Sequence, residues 1–250
     1  MTAHSWGDRV RTVARGIGEL FVTVSVVLLL FVVYELWVTD LINQYKQREL
    51  TNALTAQWER GDDPIAPHSG DQFPKVDIGA GIALIRMPRL GDDYVRVIVE
   101  GTTREALDDG PGHYVSSALP GEVGNFAVAG HRGGKGSPFD DVDRLKAGDA
   151  IIIETRDSYF VYRVLGDVDS GDPTVPGVDG LVGRQIVDAS QTTVVNPVPG
   201  EPGVAPHRRL LTLTTCQERY LSLERMIIHA ELDGQAWPKS DGLPPAMRDA

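Results

Sequence analysis

Cys216 is the residue best suited to covalent chemistry, because it is the single cysteine of the chain and follows a strongly β-prone run, residues 210–215. A thiol at the end of a strand can face a cleft and act as a nucleophile, provided that a neighbouring group supplies the thiolate form. The alternative is a structural role, since free cysteine is among the most buried residue types. Position alone does not decide between these two interpretations.

A cysteine nucleophile needs a base or a cation beside it, and His131 is the best placed of the six histidines. It follows the apolar run 126–130 and precedes the flexible Arg132-Gly133-Gly134, so that it too stands at a strand end beside a loop. The other histidines lie near the N-terminus, in a linker, in a turn, in a Pro-rich loop and inside a predicted strand, and are His4, His68, His113, His207 and His229.

Acyl transfer also requires a group that stabilises the oxyanion, and Arg225 is the first candidate. It begins the predicted strand that follows Cys216, and two neighbouring antiparallel strands would bring its guanidinium close to the thiol. Arg208, Arg209 and Arg219 are competitors that spacing does not exclude. Any of these arginines could instead form a surface ion pair, which contributes little to stability.

These side chains must be positioned by short strands, which begin at about Gly79. The runs are rich in Val, Ile, Tyr or Thr, are bounded by Gly, Pro or Asp, and cover residues 82–87, 94–100, 125–130, 150–155, 159–168, 192–195, 210–215 and 225–232. Residues 103–108 predict a short helix, and residues 196–207 a long Pro-rich loop. Many short strands with little helix predict a mostly β protein, a closed barrel or a sandwich, over residues 79–233.

The N-terminal part predicts a membrane anchor. Residues 17–38 form a nearly continuous apolar stretch, and about 20 such residues cross a bilayer as a helix. Three arginines precede it, so the positive-inside rule places residues 1–16 in the cytoplasm and the rest outside the cell membrane. No small-x-small cleavage site follows, which disfavours a cleaved signal peptide. Because an idle thiol outside the cytoplasm is exposed to oxidation, this location favours a functional Cys216.

Residues 39–78 connect the anchor to the barrel. Apolar residues spaced by three to five positions predict a helical stalk over residues 41–58, and Gly61-Asp62-Asp63-Pro64 ends it before a linker over 61–75. At the other end, residues 234–250 are Pro-rich and polar and predict a flexible tail.

Charge and composition exclude some classes of partner and cofactor. A formal net charge of −11 argues against nucleic acid, whose binding depends on Lys and Arg neutralising phosphates. The sequence has no Cys/His cluster, and its acidic pairs, such as Asp62-Asp63 and Asp140-Asp141, lie in predicted turns. We therefore expect neither a metal nor a cofactor.

Motifs around the candidate residues resemble those of the sortase family. Thr212-Leu213-Thr214-Thr215-Cys216, followed by Arg225, resembles the family's TLxTC…R signature, and Gly130-His131-Arg132 resembles its catalytic histidine segment. Gly110-Pro111-Gly112-His113-Tyr114 and residues 119–126 resemble class E sortases, the housekeeping class of high-GC Gram-positive bacteria. The match runs in order from about Gly79 to Asp233.

The resemblance implies an eight-stranded sortase β-barrel and a transpeptidation. The Cys216 thiolate would attack the Thr–Gly bond of a C-terminal sorting signal on a secreted protein, His131 would protonate the leaving amine, and Arg225 would hold the carbonyl oxygen. An amine of the peptidoglycan precursor or of a pilin would resolve the thioacyl enzyme. Class E sortases prefer Leu-Ala-x-Thr-Gly over Leu-Pro-x-Thr-Gly, and Tyr114 matches a tyrosine associated with that preference.

The sequence departs from the class pattern near both motifs. Glu218 stands where class E members often have proline, and the loop after His131 lacks the usual Thr or Tyr. These departures concern substrate preference and acceptor rather than Cys216, His131 and Arg225.

Two other functions compete with this one. An L,D-transpeptidase would place His and Cys close together in a Ser-x-Gly-Cys context, whereas here Thr-Thr precedes Cys216 and His131 is distant in sequence. A tethered extracytoplasmic β-barrel binding module without catalysis would have a chemically silent thiol.

Overall fold

Helix α1 (Trp6–Val33) opens the computed structural model, which describes residues 6–34, 39–65, 76–133, 137–177, 179–218 and 223–248. Within those residues, the stretch Arg11–Val33 is the one helix long and apolar enough to cross a membrane, and none of its most apolar window is buried inside the protein. It coincides with most of the predicted span of residues 17–38. The last four residues of that span, 35–38, lie outside the described part of the chain.

Helix α2 (Thr39–Glu59) contains the division of the chain into two units, which falls between Asn43 and Gln44. From Gln44 onward the helix belongs to the same unit as the strands. Leu54 and Trp58 pack in a small apolar cluster with residues of the first two strands, so the predicted stalk is not a free spacer over this part. The following linker is described only as far as residue 65.

In the described residues after α2, ten strands and one further α-helix, α3 (Arg104–Asp109), follow. The strands are β1 (Gly81–Arg86), β2 (Val95–Glu100), β3 (Gly112–His113), β4 (Gly124–Ala129), β5 (Ala150–Glu154), β6 (Ser158–Val164), β7 (Arg184–Asp188), β8 (Arg209–Cys216), β9 (Glu224–Leu232) and β10 (Trp237–Pro238).

The strands form one sheet in the order β10-β6-β5-β1-β2-β3-β4-β8-β9-β7, and an additional pairing of β6 with β9 closes it into a barrel. The pairs β2–β3 and β4–β8 are parallel, and the other pairs are antiparallel. Among the described residues, the closed ring consists of the eight strands β6-β5-β1-β2-β3-β4-β8-β9, and β7 and β10 are edge strands that pair with β9 and β6 outside it. This architecture confirms the predicted eight-stranded barrel.

Alternation along the strands separates the barrel core from the outer face. Leu211 and Leu213 on β8 point into the main core cluster with Phe126 and Val128 on β4. The intervening residues therefore point outward, since successive side chains of a strand alternate between the faces. On β8 these outward positions include Thr212, Thr214 and Cys216.

Two sequence predictions are wrong in this region. Residues Thr192–Val195, predicted as a strand, form a 3-10 helix, and the side-chain amide of Asn125 donates to the carbonyl oxygens of Val194 and Asn196. The strand that actually pairs with β9 at this side is β7, which the prediction missed. Its residues are partly or largely exposed, as on an edge strand, so it lacks the apolar run that identified the others.

The C-terminal segment also differs from the predicted flexible tail. Strand β10 pairs with β6, and Trp237, Ala246 and Met247 pack against a cluster on β5 and β6. The ammonium of Lys239 lies 2.7 Å from a carboxyl oxygen of Glu154 on β5. Apolar residues spaced among the prolines thus hold this segment on the barrel through residue 248.

Candidate active site

Strands β8 and β9 bring Cys216 and Arg225 side by side. Cys216 is the last residue of β8, and its register partner on the antiparallel β9 is Arg225. Such partners have Cα atoms roughly 4.5–5.5 Å apart and side chains on the same face of the sheet. Both residues are partly exposed, as a reactive pair at a barrel rim must be.

Strand β4 brings His131 to the same level from the other side. β4 runs parallel to β8 with Ala129 opposite Thr214, and the amide of Gly130 continues the ladder by donating to the Thr214 carbonyl at 3.0 Å. The hydroxyl of Thr215 in turn donates to the Gly130 carbonyl at 2.7 Å. His131 therefore leaves the sheet next to Cys216, about one strand spacing away.

The outer face of β4 and β8 leads to these residues along small side chains. Ala127 and Ala129 on β4 lie opposite Thr212 and Thr214 on β8, two positions apart along each strand. All four residues are buried, so neighbouring segments cover this part of the face, and it becomes partly exposed at Cys216.

Gly130 is required by the close approach of a buried ring. A Cβ atom at this position would lie 2.5 Å from a ring carbon of Phe139, whose own amide donates to the His131 carbonyl at 3.1 Å. Phe139 is fully buried in the main core. The backbone on both sides of His131 is thus fixed by packing on one side and by a hydrogen bond on the other.

The exposed part of the His131 ring faces an acidic residue of α3. Its Nε2 lies 3.7 Å from a carboxyl oxygen of Asp108, a contact between charges only when the ring is protonated. The side chains are 36% and 53% exposed, so water screens the pair and its energetic contribution is small.

Arg132 links the two loops that carry His131 and Cys216, a connection that the sequence did not predict. Its guanidinium donates to the main-chain carbonyl of Gln217, the residue after Cys216, and to that of Asp140. The third guanidinium nitrogen, Nη2, lies 3.1 Å from a carboxyl oxygen of Asp143. Because the Arg132 side chain is only 9% exposed, it acts as a fixed cross-link.

Tyr114 reaches the outer face of β8 from the turn after β3. Its hydroxyl lies 3.0 Å from the hydroxyl of Thr214, which shares a face with Cys216 and precedes it by two residues. The amide of Tyr114 donates to the Ala127 carbonyl on β4 at 3.0 Å. The structure thus places the predicted substrate-binding residue on the same face as Cys216.

A buried polar chain crosses this face below the candidate residues. Thr212 donates to Asn125 at 2.7 Å and lies 2.9 Å from Nδ1 of His229, while the amide nitrogen of Gln185 lies 3.1 Å from Nε2 of the same ring. All donors and acceptors are matched when His229 is neutral with its proton on Nδ1. Burial, with a smaller contribution from the positive charge of Arg208, lowers the pKa of His229 from 6.5 to about 3.

The structure separates most competing residues from Cys216. Arg208 and Arg209 lie at the opposite end of β8, where Arg208 pairs with Glu231 at 2.6 Å. His207 is exposed in the loop before β8. His113 and His229 are fully buried, whereas His4, His68 and Arg219 lie outside the described residues.

A thiol, an imidazole and a guanidinium at one level of one sheet face can perform cysteine-dependent acyl transfer. The thiolate supplies the nucleophile, the imidazole moves a proton to or from an amine, and the guanidinium donates to an oxyanion.

The matching family model is that of the sortase domain, and it covers residues 85–233, more than half of the chain. The chain is 34% identical over 241 residues to sortase SrtE1 of Streptomyces coelicolor, an alignment that covers 94% of this chain and 61% of SrtE1. The chain therefore spans less than two thirds of the length of this relative.

Two solved structures are similar to the barrel. The SrtF sortase from Corynebacterium diphtheriae superposes with a TM-score of 0.63 at 34% identity and covers 74% of this chain and 99% of its own. Sortase E1 from Streptomyces coelicolor, solved with a tripeptide in its active site, has a TM-score of 0.56 at 33% identity and covers 68% and 97%. The fold is thus the sortase fold, and the similarity favours class E.

Proposed function

Because the chain belongs to the sortase family of cysteine transpeptidases, we propose that it is a membrane-anchored sortase that joins secreted proteins to a cell-wall amine. The substrate is a C-terminal sorting signal, Leu-Ala-x-Thr-Gly or Leu-Pro-x-Thr-Gly, cleaved between Thr and Gly. The observation that carries this proposal is the register of β4, β8 and β9, with Cys216 opposite Arg225 and beside His131.

Each of the three residues has one task in the first half of the reaction. The Cys216 thiolate attacks the threonine carbonyl carbon, and Arg225 donates to the oxygen that becomes negative. When the tetrahedral intermediate collapses, the carbon–nitrogen bond breaks and the glycine amine takes a proton from the His131 imidazolium. The products are a thioester on Cys216, a neutral imidazole and the released C-terminal peptide.

The second half reverses these roles. An acceptor amine of the peptidoglycan precursor or of a pilin attacks the thioester, and neutral His131 removes its proton. Arg225 again donates to the oxyanion, and collapse restores the Cys216 thiolate and releases the amide-linked product. Proton and charge therefore balance over the cycle without a cofactor.

Tyr114 is the residue that we assign to substrate recognition. Its ring and hydroxyl lie over the outer face of β8, next to Thr214 and close to the end that carries Cys216. In this position the ring can contact the signal residue after leucine, where class E sortases accept alanine. The hydroxyl bond to Thr214 orients this ring, so a Tyr114→Phe variant, which lacks the bond, should lose cleavage of the Leu-Ala peptide more than that of the Leu-Pro peptide.

The decisive experiment uses the full chain in detergent, a fluorogenic Leu-Ala-x-Thr-Gly peptide and an amine acceptor. We expect cleavage between Thr and Gly, a ligated product, and a thioester adduct on Cys216 detectable by intact mass. Cys216→Ala and His131→Ala should abolish both products with an unchanged circular dichroism spectrum, whereas the control His207→Ala, at an exposed histidine, should retain them.

A folded chain that leaves the Leu-Ala and Leu-Pro peptides intact, and whose Cys216 resists alkylation, would contradict the proposal. That result would leave the tethered binding module as the function of the barrel.

A further inference from the structure

A second set of polar residues, the buried Glu100 and His113 and the half-buried Ser117, connects the barrel to the turn that carries Tyr114. His113 Nδ1 lies 2.8 Å from a carboxyl oxygen of Glu100, and Nε2 lies 2.9 Å from the hydroxyl of Ser117. The His113 ring is only 2% exposed and packs beside Phe126 of the main core, with ring centroids 5.2 Å apart. None of these residues takes part in the mechanism above.

Ser117 connects this set to the backbone of the turn. Its hydroxyl oxygen accepts from the Ala127 amide on β4 at 3.1 Å, and its own amide donates to the Tyr114 carbonyl at 2.7 Å. The amide of Ala118 donates to the Asn125 carbonyl at 3.1 Å. The turn 114–118 is therefore held along the edge of β4, and His113 Nε2 contacts it at the Ser117 hydroxyl and, at 3.2 Å, at the Ala118 carbonyl oxygen.

Tyr114 projects from this turn toward the outer face, opposite to His113. Successive residues of an extended segment point to opposite faces, so the core-side ring of His113 and the outward ring of Tyr114 share one backbone unit. The far end of Tyr114 is the hydroxyl 3.0 Å from Thr214, on the face of Cys216.

We propose that Glu100, His113 and Ser117 are positioning residues that fix Tyr114 against Thr214 and thereby set the preference for Leu-Ala-x-Thr-Gly. The inference rests on the proposed function for its effect on selectivity. Its structural part, that the buried chain holds the turn 114–118, is independent of that function.

The same three residue types also form the triad of serine hydrolases, but the geometry favours positioning. The Ser117 oxygen is already bound by the Ala127 amide, and the His113 ring is shut off from solvent.

A double-mutant cycle tests the connection, since coupled residues have non-additive effects. Ser117→Ala removes the hydroxyl that contacts His113 and Ala127, and Tyr114→Phe removes the hydroxyl that contacts Thr214. The double variant combines the two changes. We expect Ser117→Ala to lower kcat/KM for the Leu-Ala peptide about threefold to tenfold, the effect of one lost hydrogen bond. In the Tyr114→Phe background the same change should have no further effect. Ser117→Thr, which keeps the hydroxyl, should restore most of the activity.

Ser116→Ala provides the matched control, because Ser116 is exposed and lies next to Ser117 in the same turn. It should leave kcat/KM unchanged. Equal losses from Ser117→Ala in both backgrounds, or no loss in either, would overturn the proposal. Labelling of Ser117 by a fluorophosphonate probe would overturn it as well and would identify a second nucleophile.

Hydrogen–deuterium exchange of the full chain tests the structural part without peptide cleavage. The amides of Tyr114 and Ala118 should exchange at least about tenfold faster in Ser117→Ala than in the unmodified chain or Ser116→Ala. Unchanged exchange would overturn the inference even if the enzyme is active. Faster exchange in a chain that cleaves neither peptide would show that the buried chain holds the turn while the proposed function fails.

Discussion

In the proposed mechanism Arg225 must place its hydrogen-bond donors at the oxyanion, so its geometry matters as well as its charge. The guanidinium offers five donors in a planar fork, whereas an ammonium offers three around a point, so lysine keeps the charge but not the geometry. Because the oxyanion exists only in the tetrahedral intermediates, loss of its donor acts on kcat rather than on KM.

We therefore expect Arg225→Lys to lower kcat for peptide cleavage about 100-fold or more with little change in KM, as for other oxyanion donors. Steady-state kinetics with the Leu-Ala peptide measures both constants. Arg209→Lys, an exposed arginine at the far end of β8, is the control and should be indistinguishable from the unmodified chain. A loss in Arg225→Lys no greater than in this control would remove Arg225 from the mechanism.

His229 makes the stability of the barrel sensitive to mild acid. Its pKa falls from 6.5 to about 3 because the ring is buried. Between these values the unfolded chain binds a proton at His229 that the folded chain does not, so acidification favours unfolding. His229 therefore does not lower the free energy of unfolding above about pH 6.5, where the ring is neutral in both states, and lowers it progressively as the pH falls below that value.

The free energy of unfolding should fall by about 2 kcal/mol between pH 6.5 and pH 5, at about 1.4 kcal/mol per pH unit. Denaturant titration at several pH values measures it. His229→Gln should lower stability at pH 7 but flatten the dependence on pH, while the exposed His207→Gln should leave the slope unchanged. An equally steep slope in His229→Gln would assign the effect to another group.

At the scale of single residues, the sequence predicted which groups could act but not what holds them. Cys216, His131 and Arg225 stand at strand ends, where residue type and local pattern identify candidates. Arg132 gave no such indication, because its bond to the Gln217 carbonyl joins two loops that are far apart in sequence. Such contacts depend on the closed barrel and cannot be obtained from local spacing.

At the scale of elements, predictions succeeded where a strand is buried and failed where it is not. β5 and β8 have long buried β-branched or apolar runs, which hydrophobic pattern detects directly. β7 is a partly exposed edge strand, and its polar residues concealed it. Residues Thr192–Val195 have the composition of a strand but form a 3-10 helix, because the Asn125 side chain binds the carbonyls there.

Helix α2 shows how a side chain can complete a sheet. The Gln47 amide accepts from the Val97 backbone amide on β2 at 2.9 Å and donates to the Asp109 carbonyl at the end of α3. Strand β3 pairs with β2 only at Val99 and Glu100, so no residue of β3 lies opposite Val97. The side chain of Gln47 therefore accepts the hydrogen bond that a neighbouring strand would otherwise accept. Lys46 adds an ion pair with Asp109 at 2.6 Å, which is exposed and contributes little.

Gln47→Leu keeps the size of the side chain but leaves two main-chain groups without this partner. Each such group costs about 1–3 kcal/mol when buried, so we expect an unfolding midpoint several degrees lower than that of the unmodified chain. Thermal unfolding followed by circular dichroism measures it. Glu49→Leu, an exposed position on the same helix, is the control. If both variants unfold at the same temperature, the Gln47 bridge does not stabilise the barrel.

At the scale of the whole molecule, the proposed reaction requires the barrel and its substrates to be on the same side of the membrane. Sorting signals arrive on secreted proteins, and the cell-wall amine is outside the cell. The arginines before the apolar helix favour an N-terminus in the cytoplasm. The helix itself is long enough to span a bilayer, since it rises about 1.5 Å per residue.

The single cysteine makes this orientation directly measurable. We expect a membrane-impermeant maleimide to label Cys216 in intact cells, because the proposed orientation puts the barrel outside and its thiol is partly exposed. In a Cys216→Ala background, Ser5→Cys should be labelled only after permeabilisation, which controls for leaky membranes. Gel shifts of the isolated chain report both reactions. Labelling of Cys216 only after permeabilisation would place the barrel in the cytoplasm, where neither sorting signals nor wall amines are available, and would exclude the proposed function.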